Sequence, residues 1–258
     1  MTLRGPFLPE HNLALFLDID GTLLEIAPTP DAVVVPAALR NTLQLASARE
    51  QGALALVSGR SLAAIDRLFF PLVLPAAGLH GAERRGADGV VTRPSVDRHM
   101  LEKARAALAD LASRHTGVLL EDKGPCLALH YRAAPRFEAE LHAQMTGIAG
   151  RLGDAFELRK GKCVLELAPL GASKRTAVEA FMREEPFAGR VPVFIGDDIT
   201  DEDGFAAVNA MGGHSVRVGS PAATRARHSF ATPSAVVAWL RERNVSRQPA
   251  SVPQWRAR

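Results

Sequence analysis

Cysteine is scarce. Two residues in 258, Cys126 and Cys163, cannot build a disulfide framework. They read as two buried structural thiols in a reducing compartment, so a cytoplasmic location is expected. Long hydrophobic runs are missing as well. The longest apolar stretch, Leu68 to Leu79, is broken by Pro71, Pro75 and Gly78, and a bilayer span needs about 20 apolar residues. Leu13 to Leu17 runs straight into Asp18 and Asp20 with no small-residue cleavage site, so no export signal is expected. The eight histidines show no metal-ligand spacing, which speaks against a zinc site. Basic and aromatic residues do not interleave as they do on a nucleic-acid-binding face. Neither a membrane nor a nucleic acid is an expected partner.

What remains is an ordinary globular composition, 47% hydrophobic and 23% charged. The length suits one large domain or a core with a smaller insertion. The net charge of +3 suits an anionic substrate, with much of the basic excess between Arg241 and Arg258. The acids concentrate instead at Asp197, Asp198, Asp201, Glu202 and Asp203.

Short apolar runs alternate with helical patterns. Leu13–Leu17, Ala53–Val57, Leu72–Ala77, Val191–Ile195 and Ser215–Val218 each end in a polar or glycine-rich turn. Such runs fit strands buried on both faces. Pro36–Glu50, Ser61–Phe69 and Lys174–Arg183 read as helices between them. Strands alternating with helices predict an α/β fold: a Rossmann-like, mostly parallel sheet core with helices on both faces. The middle of the chain runs helix–hairpin, helix–hairpin, and predicts an inserted α+β domain. The expected division is a core of residues 1–94 and 171–243, an insertion of 95–170, and a flexible tail of 244–258. The last helix is expected to run through Ala235–Arg243.

In open α/β sheets ligands gather at the carboxyl ends of strands, and that is where the chemistry-bearing residues fall. Asp18-Ile19-Asp20-Gly21-Thr22 follows the first apolar run directly. Two carboxylates spaced two apart share one face if the strand persists, and a hard divalent cation with oxygen ligands relieves their repulsion. Ser58-Gly59-Arg60 follows the second run and opens a helix; its hydroxyl and amides suit phosphate oxygens, or serve as a plain helix cap. Lys174 stands at the start of another helix. Five acids lie within Asp197 to Asp203 after the fourth run. A helix start accounts for Asp201 and Glu202 but not for Asp197. In the insertion, residues two apart on a strand share a face, so Glu121 and Lys123 share one, as do His130 and Arg132, and likewise Lys162 and Glu166. Leu120, Leu127, Leu129, Leu165 and Leu167 are left to face the insertion's helices.

These sites, in this order, resemble the haloacid dehalogenase superfamily of phosphatases, and more closely its trehalose-6-phosphate phosphatases. Gly78-Leu79-His80-Gly81-Ala82-Glu83 is similar to that family's glycine–histidine motif. Glu121-Asp122-Lys123 and Lys160 to Glu166 resemble its cap motifs, and Gly196 to Glu202 its last acidic motif. The similarity covers most of residues 12–242. Arg175 departs from the family, where a small residue commonly follows the motif lysine. The resemblance implies hydrolysis of trehalose 6-phosphate through an aspartyl-phosphate at Asp18, the last step of trehalose biosynthesis. It implies Asp20 as acid and base, Ser58 and Lys174 on the phosphate, and Mg2+ held by Asp18, Asp20 (through its carbonyl), Asp197 and Asp198. Substrate contacts fall to Gly59, Arg60, His80, Glu121, Lys123 and Glu166, with the inserted domain as a cap. A functional link to a trehalose-6-phosphate synthase is implied too. Two alternatives stand beside this one: a related phosphatase for another sugar phosphate, and a catalytically silent sugar-phosphate sensor.

Overall fold

The computed structural model describes residues 9, 11–27, 33–94, 97–161, 163–220 and 223–245. In chain order the elements are β1 (Leu13–Leu17), α1 (Ala37–Arg49), β2 (Leu54–Val57), α2 (Leu62–Phe69), β3 (Ala76–Gly78), β4 (Glu83–Arg85) and β5 (Val91–Thr92). Next come α3 (Arg98–Ser113), β6 (Leu119–Asp122), β7 (Leu127–His130), α4 (Glu138–Leu152), β8 (Phe156–Gly161) and β9 (Val164–Pro169). The chain ends with α5 (Lys174–Phe181), β10 (Val191–Gly196), α6 (Asp201–Ala210), β11 (His214–Val218), β12 (His228–Phe230) and α7 (Pro233–Val245). Two units divide these elements: Met1–Leu56 with Asp66–Leu74 and Phe181–Arg258, and Val57–Ile65 with Pro75–Ala180.

In the first unit five strands run in the order β12-β11-β10-β1-β2, all parallel. Every residue of β1 and β2 is buried, as expected for parallel strands covered on both faces. Phe16 stacks on Phe187 at 5.6 Å, and Phe194 meets Phe205 of α6 edge-on at 5.7 Å. Glu50 closes this core from below. Its carboxylate accepts the Leu13 amide (3.2 Å) and the Arg243 guanidinium (3.0 Å), so a buried acid ties β1 and the end of α1 to α7.

The second unit holds an antiparallel sheet in the order β6-β7-β9-β8. Leu127, Leu129, Leu165 and Leu167 from its strands join Leu108 and Leu111 of α3 and Leu141 and Met145 of α4 in one apolar core, and Leu120 packs against it. The leucines expected to face the helices do so. The strands β3, β4 and β5 form antiparallel pairs in the same unit.

Several expectations are corrected. Leu72–Leu74 is not a strand; pairing begins only at Ala76, after Pro75, which has no N–H to offer a ladder. The last helix runs on to Val245, so Asn244 and Val245 belong to it, while residues 246–258 lie outside the described residues, as does Lys162. Cys126 is buried, but Cys163 is only partly covered and stands at φ 61° in the β8–β9 turn. No described helix is long and apolar enough to cross a membrane.

Candidate active site

The first unit gathers carboxylates. Leu17 lies level with Ile195 in the parallel β1–β10 pair, so the residues that follow them, Asp18 and Gly196-Asp197, emerge side by side at the carboxyl ends of two interior strands. Asp18 is buried, with its amide bonded to the Ile195 carbonyl at 3.0 Å. The chain then turns sharply. The Ile19 carbonyl accepts the amides of Leu23 and Leu24 at 2.9 and 3.0 Å, with that of Thr22 at 3.3 Å. Gly21, at φ 84°, makes the turn; a Cβ there would stand 2.1 Å from the Asp197 carboxylate. Only glycine combines that dihedral with that approach. Thr22, fully buried, donates its hydroxyl to Asp197 Oδ1 at 3.1 Å.

Carboxylate oxygens of Asp18, Asp197 and Asp201 lie within 4.8 Å of one another. The three are not equivalent. Asp201 Oδ2 accepts the amides of Asp197 and Asp198, both at 2.9 Å, so this fully buried side chain shapes the loop that presents Asp197. Asp20 and Asp198 are outside the cluster. The strand does not persist to Asp20, because the Ile19 turn intervenes, and Asp20 is half-buried. Asp198 is exposed, and its carbonyl accepts Arg217. Glu202 is occupied structurally, accepting Arg217 (3.1 Å), Thr224 (2.7 Å) and the Arg225 amide (2.7 Å). The donor set is therefore oxygen only and rich in charge, which fits a hard divalent cation rather than zinc or copper.

The second unit gathers the groups suited to phosphate and sugar. Ser58 directly follows β2. Its amide bonds to Ala77 (2.9 Å), its carbonyl accepts His80 (3.0 Å), and the Arg60 carbonyl accepts Leu79 (2.9 Å). The Ser58-Gly59-Arg60 turn is thereby knitted to the glycine–histidine segment. Ser58 Oγ accepts the Arg60 amide at 3.2 Å, but the helix proper is capped one turn later by Ser61. Glu83 completes the start of α2. Buried, it accepts the Leu62 amide and Arg93 Nε, both at 3.0 Å.

Lys174 is 3% exposed and is the first residue of α5. A buried cation at a helix N-terminus opposes the macrodipole. His80 stands at φ 53°, and its Nε2 lies 2.6 Å from the point a Cβ on Gly59 would occupy. Its Nδ1 is buried with no hydrogen-bond partner. Burial, then the positive charges of Lys174, Arg159 and Lys123, push its pKa down to about 3. The ring is neutral at any physiological pH.

On the four-stranded sheet Lys123 bonds Glu166 at 2.9 Å and lies 3.7 Å from Glu121, which bonds His130 at 2.7 Å. Burial would lower the Lys123 pKa, but Glu166 and then Glu121 hold it above the usual lysine range. Cys126 beside this network is inert: burial, then Glu166, pushes its thiol up to about 12. The three predicted residues Glu121, Lys123 and Glu166 therefore come together. Sequence reasoning missed Glu83 as a helix tie and Arg159 as a cation near His80; Glu83 at least lay inside a motif already singled out.

The trehalose-phosphatase family model matches residues 16–234, most of the chain. The protein belongs to that family. A probable trehalose-phosphate phosphatase of Sinorhizobium fredii is 49% identical over 81% of this chain and 79% of its own. The trehalose-6-phosphate phosphatase of Escherichia coli is 45% identical over 88% and 85%. A solved trehalose-6-phosphate phosphatase related protein superposes with a TM-score of 0.73 at 25% identity, over 91% of this chain and 97% of that one. The mixed α/β core with its inserted α+β region is thus the family's fold, and the acid cluster of Asp18 and Asp197 falls inside the family match.

Proposed function

We propose that the protein hydrolyses trehalose 6-phosphate to trehalose and phosphate, with Asp18 as nucleophile. One observation carries the reading: a buried Asp18 at the carboxyl end of β1, clustered with Asp197 at the end of β10, in a chain of the trehalose-phosphatase family. Residues 95–170 act as the substrate-reading cap on a core of 1–94 and 171–243.

In the first step an Asp18 carboxylate oxygen bonds to phosphorus as the bond to the sugar oxygen breaks. That oxygen leaves with a proton from Asp20. In the second step water attacks the phosphorus of the aspartyl-phosphate and gives its proton to Asp20; the bond to Asp18 breaks and phosphate departs. Dividing the reaction replaces one slow hydrolysis by two faster displacements. Ser58 and Lys174 grip phosphate oxygens and offset their charge. Gly59, Arg60 and His80 complete that pocket, while Glu121, Lys123 and Glu166 offer hydrogen-bonding groups to sugar hydroxyls. The oxygen donors of Asp18 and Asp197, the Asp20 carbonyl and, through water, Asp198 would hold Mg2+, whose charge would stabilise the phosphoryl oxygens. The site in the cytoplasm would take its substrate from a reaction that joins two glucose units with one phosphorylated.

The test is phosphate release from trehalose 6-phosphate beside glucose 6-phosphate, sucrose 6-phosphate and mannose 6-phosphate, with Mg2+ or chelator. Release from the trehalose ester alone is expected, falling by about 10⁴-fold or more in Asp18→Asn. Preference for another sugar ester would keep Asp18 and overturn the cap reading. Release from none would leave a sugar-phosphate sensor.

A further inference from the structure

Arg159 belongs to β8, fifteen residues before Lys174. Its Nε donates to Glu157 Oε1 at 3.1 Å, and its Nη2 donates both to Glu157 and to the Ala172 carbonyl. Ala172 is buried and lies two residues before Lys174. A buried carbonyl needs a partner, and the guanidinium supplies it.

The same segment is held from its other side. Gly81, at φ 102°, lies so close that a Cβ there would stand 2.4 Å from the Ser173 carbonyl oxygen. Ser173 and Thr176 bond each other reciprocally, amide to hydroxyl, at 3.0 and 3.1 Å, and Thr176 donates on to Gly171 at 2.9 Å. Residues 172–174 are thus fixed between Arg159 and the backbone at Gly81. Such fixing matters because Lys174 is a buried cation set against its own helix dipole, and the backbone at 172–174 decides where its side chain starts. Arg159 also stands opposite Glu166 in the β8–β9 register, and Glu166 holds Lys123.

We propose that Arg159 is a positioning residue that sets Lys174 in place through the Ala172 carbonyl. The proposal rests on the reading of Lys174 as a phosphate ligand. It assigns Arg159 no contact with substrate. The planar fork reaches two acceptors at once, which a lysine ammonium at the same position cannot do in the same geometry.

The experiment is a double-mutant cycle between Arg159→Met and Lys174→Ala, read as kcat/KM on trehalose 6-phosphate and on p-nitrophenyl phosphate, which carries no sugar. Arg159→Lys is the conservative variant, and Arg114→Met, which cuts an exposed ion pair to Asp110 at the end of α3, is the control. Arg159→Met is expected to lower kcat/KM about 10- to 100-fold, equally for both esters, with Arg159→Lys recovering only part and Arg114→Met unchanged. In the Lys174→Ala background the further loss is expected to shrink below about 3-fold. A full additive loss, a loss confined to the sugar ester, or a lowered Tm with unchanged kinetics would each overturn the proposal. Activity surviving Lys174→Ala would instead remove the reading of Lys174, and the proposal with it. If Arg159→Met does not fold, the Arg159→Lys cycle decides by the same criterion.

Discussion

The two units treat charge in opposite ways. The first brings like charges together: Asp18, Asp197 and Asp201 converge within 4.8 Å from two strand ends and the start of α6, held by backbone amides, a threonine hydroxyl and a turn too tight for any side chain at Gly21. The second alternates its charges, so that Lys123 sits between Glu166 and Glu121, and Glu121 between Lys123 and His130. A cluster of one sign must be built rigidly, because its members repel and any slack would disperse them. A network of alternating sign holds itself and can exchange one partner for a ligand hydroxyl. Under the proposed function, rigid geometry would serve bond-making at phosphorus and exchangeable pairs recognition of a sugar.

The sharpest way to break this contrast is Gly21→Ala. The added methyl must displace Asp197 or reopen the turn. A misplacement of about 1 Å at reacting groups costs on the order of 10²-fold, so kcat/KM should fall by at least that much, with weaker Mg2+ binding by calorimetry. Normal activity would mean that the acid cluster tolerates slack. Asp201→Ala should act next in size. It leaves the partly buried Asp197 and Asp198 amides without their acceptor, and should lower both the urea midpoint and Mg2+ affinity. A lowered midpoint with unaltered Mg2+ affinity would make Asp201 purely a fold residue.

The contrast was only partly legible in the sequence. Leu13–Leu17 and Val191–Ile195 are unbroken apolar runs ending in acids, so the strand ends carrying Asp18 and Asp197 could be read directly, and the α/β class with them. The division of labour among the acids could not. Whether Asp201 ligates or shapes the loop depends on where α6 begins relative to β10, which is a tertiary fact. The strands β4 and β5 were invisible because Glu83-Arg84-Arg85 and Val91-Thr92 are too short and polar to show a period. Leu72–Leu74 deceived in the other direction, being apolar but set between prolines. Arg159 carried no signal at all: inside Arg159-Lys160-Gly161-Lys162 it looks like one more hairpin charge, and only the fold brings it to the Ala172 carbonyl.

Lys123→Met sharpens the other side of the comparison. It leaves Glu166, 8% exposed, without its ammonium. Turnover of trehalose 6-phosphate should fall about 10- to 100-fold in kcat/KM, since a site that hydrogen-bonds its ligand's hydroxyls loses discrimination when those groups are disturbed. Turnover of p-nitrophenyl phosphate should change by less than about 3-fold on the same ground. Equal losses on both would place Lys123 at the phosphate rather than the sugar.

The smallest expected effect concerns His80, where the cations of the second unit crowd one neutral ring. Its folded pKa of about 3 lies below the ordinary 6.5, through burial first and then Lys174, Arg159 and Lys123. The unfolded chain therefore takes up a proton at this histidine as the pH drops through 6.5, while the folded chain resists until near 3. Stability from a neutral His80 is fully present above 6.5 and is lost as the pH falls through that window, by about 1.4 kcal/mol per unit. His80→Gln has no such group. Urea unfolding of both proteins at pH 7.5 and pH 5 isolates the term, because every other titration is common to the two. The wild type should lose about 2 kcal/mol more than the variant over that interval. Parallel losses would mean that the ring titrates normally, and that Lys174, Arg159 and Lys123 do not press on it as the folded geometry requires.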